Sequence, residues 1–347
     1  MSASLRSRCL SRVAWSVAGI SAASLAAGCA SVEAPPAEAP ASVADPAPRS
    51  APDDGDLGGL VPEGAETLLE VDVAALRASA WSRGLVARPD AERVARAVEQ
   101  GFDEIGDVDR ALFAVSEGAA GPATLLVAQG RFSPARLAAA LGAGWVASTW
   151  RGSPMWTQAP ARGAEAVALV TPRTLLRGEP AAVRAAIDCA WGLAADARRS
   201  AVGELRRELA AAAGDRAALV AASVVTEAMR RRVADEFVLP AGLTRVGARL
   251  DLGAALRLDV LGLLATPREA AETARNLQST LRDLRARRAL AAFGITPFLS
   301  AVAVAPQGRR VRLQLVLPED QREDLAARLT AIVDAIRARP VVPEAGK

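Results

Sequence analysis

The side chains that most enzymes use for covalent or metal chemistry are nearly absent from this chain of 347 residues. It contains no His, no Tyr, three Cys, and a single Lys, which is the last residue, Lys347. This composition excludes Ser-His-Asp and Cys-His nucleophiles, a Schiff-base lysine, a P-loop lysine and every His-ligated metal site. So few thiols also exclude a thiolate zinc site. Catalysis would have to rest on Asp, Glu, Ser, Thr and Arg, and we expect no metal and no cofactor.

One thiol has a distinctive setting near the N-terminus. Cys29 follows Leu25-Ala26-Ala27-Gly28, at the end of an apolar run from Val13 to Gly28 that is preceded by Arg6, Arg8 and Arg12. The run is too short and too interrupted to span a bilayer. The order of basic, apolar and small residues before a cysteine resembles the signal peptide and lipobox of bacterial lipoproteins, although Ala26 stands where Leu is commoner.

This resemblance implies that the chain is cleaved between Gly28 and Cys29 and that Cys29 is lipidated and becomes the new N-terminus. Since Ala30, not Asp, follows the cysteine, the resemblance also implies sorting to the outer membrane, with the body on the periplasmic side. The Ala- and Arg-rich body itself is similar to uncharacterised envelope lipoproteins of the myxobacterial type, a resemblance that implies no activity.

The net charge gives no reason to expect a nucleic-acid partner. The formal charge is +3, and its excess comes from the three arginines that precede the apolar run. Removal of residues 1–28 therefore leaves equal numbers of basic and acidic side chains. Cleavage and lipidation would leave Cys189 as the one free thiol, so no disulfide framework is expected. We predict that Cys189 is a small buried side chain in a helix.

Three tryptophans form the most prominent aromatic group. Trp145, Trp150 and Trp156 are close in sequence in a chain with only 3% aromatic residues, and they are candidate contacts for carbohydrate. A hairpin turn at Gly152-Ser153 would place Trp150 on the face opposite to the other two rings, because side chains alternate along a strand. That split favours packing over a shared binding platform.

An acidic loop and two groups of arginines are further candidates. The acidic loop contains Asp103, Glu104, Asp107 and Asp109, but it lacks the D-x-D-x-D-G pattern with a distal Glu that binds calcium, and we predict a solvated loop. The arginines are Arg230, Arg231 and Arg232, and Arg282, Arg285, Arg287 and Arg288. They could meet phosphates of lipopolysaccharide or of acidic polymers, but adjacent acidic residues favour mutual pairing on a solvated helix face.

The elements that must position these residues are short strands alternating with helices. Ser133-Pro134 and Thr266-Pro267 are strong helix starts, since each places a capping hydroxyl before a proline. The strands and helices follow a similar order in the two halves. The sequence therefore predicts an α+β fold of two related modules, each an antiparallel sheet with helices packed on one face. The predicted ranges are a signal peptide at 1–28, a lipidated and disordered Pro/Ala-rich linker at 29–57, a first module at 58–195 and a second at 196–347.

These features lead to two hypotheses of different classes. The first is a non-enzymatic, lipid-anchored envelope protein that binds or assembles with an envelope protein or polysaccharide. The alternative is a carboxylate-based hydrolase acting on envelope polysaccharide, which would need two carboxyl groups about 5–9.5 Å apart across a cleft.

Overall fold

Twelve antiparallel strands form one continuous sheet in the computed structural model of this chain. The structure describes residues 55–82, 91–118, 121–158, 165–212, 217–233, 239–288, 294, 296–321, 323–324 and 327–328. The strands are β1 (Thr67–Asp72), β2 (Val108–Gly118), β3 (Gly121–Gly130), β4 (Trp145–Trp150), β5 (Ser153–Gln158), β6 (Ala166–Thr171), β7 (Thr174–Gly178), β8 (Leu219–Val224), β9 (Leu243–Leu252), β10 (Leu256–Leu264), β11 (Val302–Gln307) and β12 (Arg310–Leu317). Across the sheet their order is β11-β12-β10-β9-β8-β1-β2-β3-β7-β6-β5-β4.

Helices connect these strands and pack on both faces of the sheet. Those within the described ranges are α1 (Val73–Ala78), α2 (Ala91–Gln100), α3 (Pro134–Leu141), α4 (Pro180–Ala190), α5 (Ala201–Ala211), α6 (Glu227–Val233), α7 (Pro267–Ala286) and α8 (Thr296–Ser300). The predicted caps are present. Ser133 Oγ accepts from the Arg136 N–H at 3.4 Å, and Thr266 and Glu269 form a reciprocal capping box at 3.1 and 3.2 Å. In the part of the chain that the structure covers, no helix combines the length and apolar character needed to cross a bilayer.

The main core lies on the face of the sheet covered by α4 and α5, which we call the first face. Leu68, Leu112 and Leu176 on three different strands are fully buried there, and Ile187 of α4 and Leu205 of α5 pack against them. Burial of each such side chain stabilises the fold by about 1.5–3 kcal/mol. The same core contains Val220 and Ala222 of β8, so it crosses from the first half of the chain into the second.

Two smaller cores lie on the opposite, second face. One joins Val73 of α1, Leu137 of α3 and the loop residue Phe102 to side chains of β2, β3, β6 and β7. It includes an edge-to-face contact between the rings of Phe102 and Phe132, whose centroids are 5.5 Å apart. The other packs Ala270 and Ala274 of α7 on β10 and β12. The strand pairings place α3 and α7 on the same face.

The two halves have the same strand order. Counting outward from the border between β1 and β8, the first half runs β1-β2-β3 and the second runs β8-β9-β10. In each half a capped helix, α3 or α7, follows the third strand. The last hairpin of each half is β6-β7 or β11-β12, and its second strand lies beside that third strand, so β7 pairs with β3 and β12 pairs with β10. The hairpin β4-β5 has no counterpart among the described residues of the second half. This agreement is what a duplication predicts, and the common origin of the halves stays a prediction.

The predicted α+β class with an antiparallel sheet is confirmed, and two details differ from the expectation. Helices cover both faces rather than one, because β1, β2, β3 and β7 direct apolar side chains to both sides. The two predicted modules are also not separate bodies. β1 pairs with β8 from Thr67↔Ser223 to Val71↔Leu219, and the main core contains side chains from both halves.

The folded body begins earlier than residue 58. Asp56 accepts a hydrogen bond from the Gly58 N–H at 2.8 Å, and its carboxylate also pairs with Arg206. Leu57 is 0% exposed within the main core. The prediction that the linker extends to residue 57 was therefore wrong at its end, because Asp56 caps a short 3-10 helix at Leu57–Leu60 and pairs with the buried Arg206. Residues 1–54, with Gly28, Cys29 and nearly all of the predicted linker, lie outside the described residues.

Candidate functional site

The hairpin of β4 and β5 carries the three candidate tryptophans at one edge of the sheet. Its turn is Arg151-Gly152, where φ is 51° and 76°, as a two-residue type I′ turn requires. The prediction of a turn at Gly152-Ser153 was wrong by one residue, and Trp150 pairs with Ser153 rather than Met155. This register keeps Met155, 2% exposed, in the main core, and an ion pair with Asp188 at 3.2 Å holds Arg151 in its left-handed conformation.

The tryptophan rings lie on two faces, as the alternation predicts. Trp145 and Trp156 pack against the second-face core, whereas Trp150 packs against the main core on the first face. Trp150 Nε1 donates to Asp188 Oδ1 at 3.2 Å, and the guanidinium carbons of Arg151 and Arg184 lie 5.6 and 5.3 Å from its ring centroid. The three rings therefore form no common stacking surface. Ligand contact through them stays a prediction.

The outer edge of β4 is one end of the sheet and its middle residues are exposed. β4 ends the strand order, and its residues 146–149 are exposed, with Val146 at 63%. Trp150 and Ser153 form the hydrogen-bonded pair that closes a two-residue turn. Successive residues of β4 therefore alternate between bonding to β5 and directing their backbone groups away from it. Ala147 and Thr149 then direct both N–H and C=O away from β5. Trp145 directs its C=O outward, whereas its N–H donates to the carbonyl oxygen of Gly142.

The opposite edge, β11, is protected. Gln278 Nε2 of α7 donates to the Val304 carbonyl at 3.0 Å, and Arg285 donates to the Val302 carbonyl at 3.3 Å. Pro306 on the same strand has no N–H to offer. Proline and covering side chains are the usual protection of an edge strand. β4 contains no proline and no charged residue, and no side chain in the described ranges hydrogen-bonds to its outward backbone groups. This contrast was not predicted from the sequence, although the uncharged run at 145–150 is a signal of it.

A buried ionic cluster on the first face is the best candidate for the acidic pair of a hydrolase. Glu70 and Asp72 line a cavity of about 140 Å³. Glu70 accepts from Arg110 at 2.5 Å and from Arg206, which is 3% exposed and also pairs with Asp56. Ligand sites for small molecules usually exceed about 300 Å³. A small cavity whose Glu70 is neutralised by two arginines gives the hydrolase hypothesis little support.

The acidic loop is organised by arginines. Asp103 pairs with Arg93 at 2.8 Å, and Asp109 pairs with Arg77 at 2.7 Å. The hydrogen bond from Arg93 holds the pKa of Asp103 down at about 2, against an ordinary value of 3.8. Among the residues that the structure covers, no group of three or more His, Cys, Asp or Glu is placed to hold a metal ion. The predicted solvated loop is thus only partly solvated, because Asp103 and Asp109 pair with arginines while remaining 29% and 33% exposed.

Cys189 is buried, as the sequence predicted. It is 7% exposed, and its Sγ lies 3.5 Å from the Ala195 carbonyl oxygen. Burial, followed by the nearby carboxylates of Asp196 and Asp188, raises the pKa of this thiol from 9.0 to about 11. A thiol that stays protonated is a poor nucleophile and a poor metal ligand.

The arginine groups behave differently from one another. Arg230 donates to the carbonyls of Pro240, Ala241 and Leu243, and Arg231 lies 4.0 Å from Glu227. On α7, by contrast, Arg282 has no ion pair with Asp283 or any other described residue, against the predicted mutual pairing.

The comparisons with known proteins give a distant structural likeness. No family model and no curated protein matches the chain. Solved structures of the protein TP0453 in crystal forms III, IV and I are similar to it at 12% sequence identity, with TM-scores of 0.48, 0.47 and 0.45. They cover 80%, 78% and 80% of this chain, and 99%, 96% and 98% of their own chains. A likeness at this level gives no information on function.

Proposed function

We propose that this chain is a non-enzymatic lipoprotein of the outer membrane, anchored through Cys29 with its body in the periplasm, and that it assembles through the outer edge of β4. The anchor rests on the order of basic, apolar and small residues before Cys29. The assembly role rests on one observation: β4 is an exposed, uncharged and unprotected edge strand, whereas the other edge of the same sheet is blocked.

A second copy of the chain fits this edge by its own symmetry. Antiparallel pairing centred on Ala147 aligns Ala147 with Ala147 of the second copy, and Trp145 with its Thr149. All of these residues direct backbone groups outward. The Ala147 pair supplies two hydrogen bonds, and the Thr149 N–H groups supply two more to the Trp145 carbonyls. Because β4 carries no charge, two copies meet without like-charge repulsion.

The lipid anchor favours such an assembly. A single pair of six-residue strands buries less area than a stable soluble dimer needs. Two copies on one membrane, however, meet at a high effective concentration. The Pro/Ala-rich residues that follow Cys29 span about 3.1 Å each when extended. A tether of this kind holds each body away from the membrane and lets it turn, so that the β4 edges of two copies can align.

The anchor is tested by Cys29→Ser. Only a thiol accepts the acyl-bearing glycerol, so the variant should accumulate as an unprocessed precursor and incorporate no labelled fatty acid. Labelling as strong as in the parent chain would contradict the lipoprotein assignment.

The edge is tested by Ala147→Lys and Ala147→Pro, with Ala303→Lys as a control on the protected strand β11. Ala147 and Ala303 are both exposed, so each substitution should leave the fold intact. The lysine places like charges opposite each other, and the proline removes one outward N–H without touching the β4-β5 ladder. Either Ala147 variant should weaken self-association of the intact lipoprotein in lipid vesicles, measured by energy transfer between labelled copies, by about tenfold or more, and Ala303→Lys should not. A monomeric parent in native membranes would contradict the assembly role and leave the anchor standing.

A further inference from the structure

A basic groove lies beside the protected edge, on the other side of the molecule from β4. It runs between α7 and β11, has a volume of about 600 Å³, and we call it the α7–β11 groove. Its lining consists of Arg275, Gln278, Leu281, Arg282 and Arg285 of the helix and Val302 and Val304 of the strand. The helix residues recur at three- and four-residue steps, so they form one stripe along α7.

No carboxylate among the described residues neutralises the positive charges of the groove. Within the same ranges, Arg285 donates to the neutral carbonyls of Leu299, at 2.8 and 3.1 Å, and Val302. Neither Arg275 nor Arg282 forms an ion pair with a residue in the described ranges, and the carboxylates of Glu272 and Asp283 on the same helix do not pair with them.

Elsewhere in the described residues, some arginines pair with acids and others, such as Arg257 and Arg268, do not. Carboxylate partners lie within 4.0 Å of the arginines at 77, 93, 110, 136, 151, 173, 177, 198, 206, 231, 249, 310, 312 and 328. The lining of the groove is distinctive because it gathers three guanidinium groups on one concave surface with no acidic side chain among its lining residues.

The chemistry of the groove selects a ligand with an anionic end and an apolar part. Guanidinium groups bind phosphate and carboxylate through pairs of charge-assisted hydrogen bonds. Leu281, Val302 and Val304 supply apolar surface between the charges. An added peptide strand does not fit, because Gln278 and Arg285 already occupy the outward carbonyls of β11. The volume lies within the range of about 300–1,000 Å³ found for small-molecule sites.

We infer that the α7–β11 groove binds an organic phosphate, with Arg275 and Arg282 contacting the phosphate and Leu281 and the two valines contacting its apolar part. Arg285 orders the edge of the groove through its carbonyl contacts and adds positive charge. This site is independent of β4, so each proposal can fail without the other.

The test is calorimetric titration of the intact lipoprotein with phenyl phosphate, inorganic phosphate and benzyl alcohol. Phenyl phosphate should bind most tightly, inorganic phosphate more weakly and neutral benzyl alcohol not measurably. Binding should weaken as salt is added, because the contacting arginines are exposed.

Two charge-reversal variants separate the groove from a general charge effect. Arg275→Glu combined with Arg282→Glu should weaken binding of phenyl phosphate by about tenfold or more. Arg268→Glu reverses an exposed charge on the same helix but outside the groove, and it should change the affinity by less than about twofold. The inference is overturned if the double variant binds like the parent, if benzyl alcohol binds as tightly as phenyl phosphate, or if no phosphate probe binds.

Discussion

Replacing Arg206 by Met should destabilise the body by about 2–3 kcal/mol. Arg206 lies on α5 and is 3% exposed, and it pairs with Glu70 of β1 and with Asp56. It therefore ties a helix from the second half of the chain to a strand and a cap from the first. Removing one partner of a buried ion pair costs about 3–5 kcal/mol.

Two features of the cluster reduce that figure. Glu70 keeps Arg110 at 2.5 Å, so its carboxylate is not left without a counter-charge, and Asp56 is 27% exposed and regains water. Methionine also retains most of the packing of the arginine stem. For a domain of this size, 1 kcal/mol corresponds to about 2–4 °C in Tm. Thermal unfolding followed by circular dichroism should show a decrease of about 4–12 °C.

The matched control is Arg310→Met. Arg310 pairs with Glu208, and both side chains are nearly half exposed, at 44% and 46%. An exposed pair contributes about 0–1 kcal/mol, so its loss should lower Tm by at most about 4 °C. Equal shifts for the two variants would refute the argument that burial gives the Arg206 cluster its weight.

Three further predictions concern single side chains. Asp103 has a pKa of about 2 in the folded state against 3.8, so its stabilisation is complete above about pH 4 and is lost as the pH falls through about 2. With solvent screening it amounts to about 1 kcal/mol, and the stability difference between the parent and Asp103→Asn should shrink over that interval. Cys189, with its pKa at about 11, should react with iodoacetamide at pH 8 only after unfolding; modification of the folded protein would contradict its burial. A Cβ at Gly203 would overlap the Ala197 carbonyl oxygen, whereas one at Gly64 meets nothing within 4 Å, so Gly203→Ala should lower the free energy of unfolding by at least about 2 kcal/mol and Gly64→Ala should leave it nearly unchanged in urea titrations.

Local chemistry could be predicted from the sequence because it depends on neighbouring residues. Ser133 and Thr266 cap the helices they were expected to cap. The α+β class follows from the same local patterns, and the burial of Cys189 follows from its place in α4.

Long-range pairing could not be predicted in the same way. The contact between β1 and β8 joins residues about 150 positions apart, such as Thr67 and Ser223, and no local pattern specifies it. The single sheet and the shared core both follow from that one pairing. The same holds for Leu57, whose burial depends on helices far along the chain.

The features of the candidate sites depend on which strands lie at the two edges of the sheet. β4 and β11 become edge strands only through the order of the whole sheet. The uncharged residues of β4 and the proline of β11 therefore gain their meaning only once that order is known. The free charges of Arg275 and Arg282 likewise depend on which acids lie within reach.

The most direct test of the central claim is oxidative cross-linking of Ala147→Cys in native envelope membranes. Pairing centred on Ala147 places the two introduced thiols on directly opposed residues, with Cα atoms about 5.5 Å apart, within the range of disulfides. Cys189 is buried and should not compete. Assembly through β4 predicts a covalent dimer for Ala147→Cys and none for Ala303→Cys on the protected edge. Equal cross-linking of the two variants, or none with Ala147→Cys, would contradict assembly through β4.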